Sequence, residues 1–180
     1  MNDSDLQAGI QAYATARAYG AATTARWLRL AQPDAAALLQ LASELRLGEH
    51  QLRDLWDWAE EIAAREGLSL SQVLAVEPIA AARARRLGRN DKLKAIKAAL
   101  RRLRLPQLAA LEDRLADLIR TLELPRHVRV NLPAHLEGDQ VHIEITAADA
   151  AAWRAAAAAL MAAADTPACR ELFRLLGEAP

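Results

Sequence analysis

The sequence has a single cysteine, Cys169, among 180 residues. That excludes a disulfide within the chain and a zinc site built on cysteines. Seven glycines and seven prolines leave few obligatory stops for helices. Aromatic residues, at 4%, are too few for a sandwich or barrel built on large side chains. Net charge is absent as well, with 23 basic residues against 23 acidic ones, and this argues against indiscriminate polyanion binding. No long apolar run is present. The most apolar stretch, Thr146 to Ala164, is mostly alanine and contains Asp149 and Arg154, so no membrane association is expected. The opening, Met1-Asn-Asp-Ser-Asp, is acidic where a secretory signal is basic. The expectation is a soluble, cytoplasmic protein.

What is present is helix-forming. Hydrophobic residues make up 53% and charged residues 26%, and alanine and leucine dominate. The neutral total hides three unlike parts. Residues 1–78 sum to −5, residues 79–105 to +9 and residues 106–180 to −4. A short basic segment between acidic flanks permits a focused patch. Two modules are expected, a helical one over 1–105 and a second over 106–180, in a mostly α (α+β) fold.

Along the first module, a weak helix is expected over about Asp5 to Leu30, with Gly20 as a possible end. A second helix, with Leu38, Leu41 and Leu45 on one face, stops at Gly48. From Glu49 to Glu66, Leu52, Leu55, Trp56, Ala59 and Ile62 share one face while Asp54, Asp57, Glu60 and Glu61 line another. A helix from about Ser71 is interrupted at Pro78, and the next runs to Leu87. Lys92 to Leu105 is amphipathic, with Leu93, Ile96, Leu100 and Leu103 on its apolar side.

After Pro106, Leu108, Leu111, Leu115, Leu118, Ile119 and Leu122 repeat at three- and four-residue steps, a seam suited to pairing with another helix. The period then switches to two. Val128, Val130 and Leu132, and then Val141, Ile143 and Ile145, read as a β-hairpin with a long loop. Two strands alone are marginal in water, so the hairpin needs cover. Thr146, three residues before Asp149, resembles the N-cap of an alanine-rich helix to Ala164. Thr166-Pro167 begins a last helix expected to bury Leu172, Phe173, Leu175 and Leu176. The seam and the hairpin together predict a homodimer through Leu111, Leu115, Leu118, Val128, Val130, Val141, Ile143 and Ile145.

Residues 61–76 fit a helix-turn-helix. Ala63 is small enough for a close crossing, and Gly67, four positions on, tolerates the positive φ of the turn. Ile62, Leu68, Val73 and Val76 fill the packing positions. Ser69, Ser71, Gln72 and Ala75 are then expected to project outward, and the serines and the glutamine can reach base edges or phosphates. An ordinary helix hairpin is the alternative.

The basic segment follows at once. Arg83, Arg85, Arg86, Arg89, Lys92, Lys94, Lys97, Arg101, Arg102 and Arg104 form a run with almost no acidic residue inside it. Such a run suits duplex DNA, where phosphate contacts release counterions. A solvated or internally paired face is the alternative, and an acidic protein partner would be met by the same charges.

Leu111-Glu-Asp-Arg-Leu-Ala-Asp-Leu-Ile, His127-Val-Arg-Val, Gly138-Asp-Gln-Val-His-Ile-Glu-Ile and the helix after them resemble, in that order, the dimerisation domain of ParB-type partition proteins. The half before them is similar in kind to that family's helix-turn-helix region. The resemblance implies a non-enzymatic dimer that binds DNA. The family's nucleotide-binding domain has no counterpart here, so CTP binding is not implied.

No chemistry competes strongly with this reading. His127, His135 and His142 lie near Glu137, Asp139 and Glu144, but strand alternation puts His142 and Glu144 on the outer face, so no metal is expected. Cys169 has only Arg170 beside it and reads as a small hydrophobe. His50 reads as a surface or capping residue. No glycine-rich phosphate loop follows a strand, and no cofactor is expected. The four tryptophans do not alternate with basic residues on a strand, so they read as core or interface anchors.

Overall fold

The computed structural model describes residues 2–133 and 136–177. The protein is mostly helical, with one small antiparallel hairpin, and it divides into one compact unit up to Pro106 and another from Gln107.

The first unit holds α1 (Asp3–Ala16), α2 (Ala21–Leu28), α3 (Gln32–Leu45), α4 (Glu49–Glu66), α5 (Leu70–Ala75), α6 (Glu77–Ala84) and α7 (Arg89–Arg104). The expected first helix is two helices. Ala18 takes a positive φ of 53° and Gly20 becomes the N-cap of α2. The break lets Tyr19 turn back, and its hydroxyl donates to the Leu47 carbonyl at 2.9 Å. From α1, the Tyr13 hydroxyl donates to the Ala42 carbonyl at 2.7 Å. Leu47 follows the left-handed end of α3, and the Ala42 carbonyl, already bonded there by the Leu47 N–H at 3.0 Å, takes the tyrosine as a further donor. Burial pushes the Tyr13 phenol above its ordinary range.

Every helix of this unit contributes to one core, through Leu6, Trp27, Leu38, Leu52, Leu70, Ile79 and Leu93 in chain order. Glu49 ties α4 to α2, accepting from the Thr23 hydroxyl and, at 3.1 Å, from the Gly20 N–H. These two donors hold its carboxyl below the usual carboxylate range. Arg26 lies 4.1 Å from the centroid of the Trp56 ring and donates to Asp57 at 2.7 Å and Glu60 at 2.6 Å. Part of the acidic face of α4 is therefore neutralised by α2.

The second unit holds α8 (Pro106–Thr121) from its second residue on, β1 (Val128–Asn131), β2 (His142–Ile145), α9 (Ala150–Ala164) and α10 (Pro167–Gly177). The strands pair Val128 with Ile145 and Val130 with Ile143 on one face, and Arg129 with Glu144 and Asn131 with His142 on the other. Val141 and Leu132 lie just outside the ladder. The core here is small: Leu115 of α8, Leu136 of the hairpin loop, and Leu172, Leu175 and Leu176 of α10. Leu111 and Leu118 pack against it. The leucine seam is therefore used inside the unit. Asp149, not Thr146, caps α9 by accepting from the Ala152 N–H at 2.7 Å. Phe173, expected in the core, is half exposed.

Candidate functional site

The helix-turn-helix pattern is met at the turn and missed just after it. Helix α4 ends at Gly67, whose φ of 67° makes the turn, and Ile62 and Val73 are buried as the pattern requires. Leu68 departs from it, being exposed. Helix α5 has only six residues, because Pro78 already belongs to the first turn of α6. Its polar side chains bond at its own N-terminus, although Gln72 is exposed. Ser69 Oγ accepts from the Gln72 N–H at 3.2 Å, and Gln72 Oε1 accepts from the Ser69 N–H at 2.8 Å. This reciprocal cap occupies two of the three side chains expected to read bases. The third, Ser71, has its hydroxyl 2.9 Å from that of Ser69 and its N–H bonded to Asp34 of α3 at 2.8 Å. The Asp34 carboxylate thus sits at the helix N-terminus, where a phosphate would have to go.

The basic segment is divided by its partners. Arg83 and Lys92 both reach Glu44 of α3, at 2.9 and 3.2 Å. Lys97 donates to Asp54 at 2.8 Å, and Arg104 pairs with Glu61, both acids on α4. Lys97 and Arg104 each lie 5.8 Å from the ring centroid of Trp58. Arg65 of α4 donates to the Leu103 and Arg104 carbonyls at 2.5 and 2.6 Å, closing the C-terminal end of α7. Arg101 and Arg102 are also partnered. Much of the expected patch is therefore spent in holding α7, whose Leu93, Ile96 and Leu100 are buried, against the unit.

Four cations differ. Arg85 and Arg86 of the connector between α6 and α7, Arg89 at the start of α7 and Lys94 one turn on are exposed, and make no ion pair among the described residues. Arg85 and Gly88 are extended, with ψ of 138° and 155°, so the connector stands clear of helical packing. Gly88 caps α7 without a side-chain bond. Asp91 lies in the first turn of α7 with its carboxylate close to Gly88, so a negative charge already stands at this helix start.

In the second unit an apolar cavity of about 380 Å³ opens between the hairpin, α9 and α10, lined among others by Val130, Ile143, Leu160, Met161, Cys169 and Phe173. Of the expected dimer residues, Leu115 and Val128 are buried, Leu111, Leu118, Val130, Val141 and Ile145 are half-buried, and Ile143 is half exposed. The exposed Met161 and Phe173, which line this cavity, and the exposed Trp153 of α9 were not foreseen. Their signal was in the sequence: alanines occupy the other face of α9.

No group of three or more His, Cys, Asp or Glu among the described residues could hold a metal ion. His142 and Glu144 are exposed, and His135 lies outside the described residues. His50 is exposed in the first turn of α4. Among the described residues no helix is long and apolar enough to cross a membrane. The chain matches no family model, no curated protein and no solved structure.

Proposed function

We propose that the protein is a non-enzymatic, dimeric DNA-binding protein that grips the phosphate backbone of duplex DNA through Arg85, Arg86, Arg89 and Lys94. The observation that supports this is the contrast within one basic run: its other cations are partnered inside the protein, while these four stand exposed. Base reading by α5 is not part of the reading, because Ser69, Ser71 and Gln72 are engaged at their own helix start.

The test is binding of the full chain to a duplex over a salt series. Replacing Arg85, Arg86 and Arg89 together by glutamine makes the logarithmic salt slope shallower by roughly 0.9 per lost phosphate contact. Wild-type protein without affinity for duplex at low salt ends the reading. If polyglutamate binds where duplex does not, an adaptor with an acidic protein partner takes its place.

A further inference from the structure

Helix α9 carries its large side chains on the side that its own unit leaves open. Its buried residues are small, Ala156 at 0% and Ala163 at 7% exposure, whereas Trp153 is 61% and Met161 73% exposed. Trp153, Leu160, Met161 and Ala164 fall within roughly 100° of the helix surface. Trp153 therefore stands on the same stripe as three residues that line the apolar cavity. Across that cavity, Phe173 of α10 and Ile143 of β2 are each 50% exposed.

The area suits a protein partner. Taking large side chains at about 150–250 Å² each, the four exposed groups leave roughly 450 Å² of apolar surface in water. A standard interface needs about 800 Å² per partner, about 65% of it apolar in homodimers. Four side chains and the cavity walls between them approach that apolar requirement. The same face offers both projecting groups and a receiving groove, which is what a two-fold contact demands of a single surface.

We infer that the face formed by α9, α10 and β2 is the interface with a second copy of this chain, with Trp153 and Phe173 as its anchors. This rests on the dimeric part of the proposed function; it keeps Val130, Val141 and Ile143 of the hairpin in the contact and adds α9 and α10. On α8, Leu115 is fully buried in the unit's own core and Leu111 and Leu118 pack half-buried against it, so that seam offers less free apolar surface than α9 does.

Sedimentation of the full chain without nucleic acid, over roughly 1–100 µM, tests the assignment. Trp153→Gln and Phe173→Gln alter exposed groups, so the helical circular dichroism stays unchanged while each weakens association by about tenfold or more. Leu68→Gln, an exposed apolar residue of the first unit, leaves association unchanged. A full chain that is monomeric throughout overturns the inference, as does a dimer indifferent to both substitutions. A monomer that still binds duplex sinks the interface and leaves the phosphate contact standing; a dimer that ignores duplex does the reverse.

Discussion

Glu49 shows how much one side chain can settle. It stands in the first turn of α4, yet its carboxylate serves the beginning of α2 through Thr23 and Gly20. Its native pKa is lowered by those bonds. The stability it contributes is therefore present above its ordinary titration range and is lost as pH falls through the depressed native value. Glu49→Gln should lower stability at neutral pH and flatten the acid limb of a stability-against-pH curve, measured by denaturant unfolding. An unchanged acid limb would show that the contact contributes nothing. Gly67 is a simpler case. A Cβ there meets nothing within 4 Å, but its φ is 67°, so Gly67→Ala should cost about 1 kcal/mol through backbone strain alone. Here the sequence was legible, because glycine four residues after Ala63 is a backbone requirement that no distant partner can alter.

At the scale of the element, α7 separates two kinds of cation. Lys97 and Arg104 hold the helix to α4, but their acidic partners are about half exposed, so each pair is worth about 0–1 kcal/mol. Lys97→Gln with Arg104→Gln should lower the unfolding midpoint slightly and leave the salt slope of duplex binding unchanged. Arg85, Arg86 and Arg89 should behave oppositely, with stability kept and slope reduced. A slope that falls with Lys97 and Arg104 would place the phosphate contacts on the wrong face. The sequence showed the amphipathic helix, since Leu93, Ile96 and Leu100 keep helical spacing and are buried. It did not show the pairing. Glu44, Asp54 and Glu61 lie 39 to 48 residues from their cations, far beyond the three- and four-residue steps along which a helix reports its own ion pairs. The same distance hid the N-terminal end of α5, where Asp34 comes from α3.

For the whole molecule, the two units differ in how far each can stand alone. The first draws on all seven of its helices for one core. The second relies on five buried leucines and leaves Trp153, Met161 and Phe173 in water. A fragment of residues 1–106 should therefore unfold cooperatively at a midpoint independent of protein concentration. A fragment of residues 107–180 should melt at a midpoint that rises with concentration, because association contributes to its stability. Calorimetry at two concentrations distinguishes them, and a concentration-independent second fragment would mean that its small core suffices.

The helical class, the hairpin and the amphipathic faces are legible along the chain, because they follow from local rules: 3.6-residue and two-residue periods, and proline and glycine at element ends. Even so, Thr146 and Asp149 competed for one N-cap, and only the folded backbone chose Asp149. Tertiary structure alone decided what the exposed and charged groups are for. A lysine of a basic run looks the same whether a phosphate or a distant aspartate neutralises it, and a leucine seam looks the same whether its partner is α10 or another chain. Those choices depend on which surfaces meet across tens of residues, and no spacing along the chain records them.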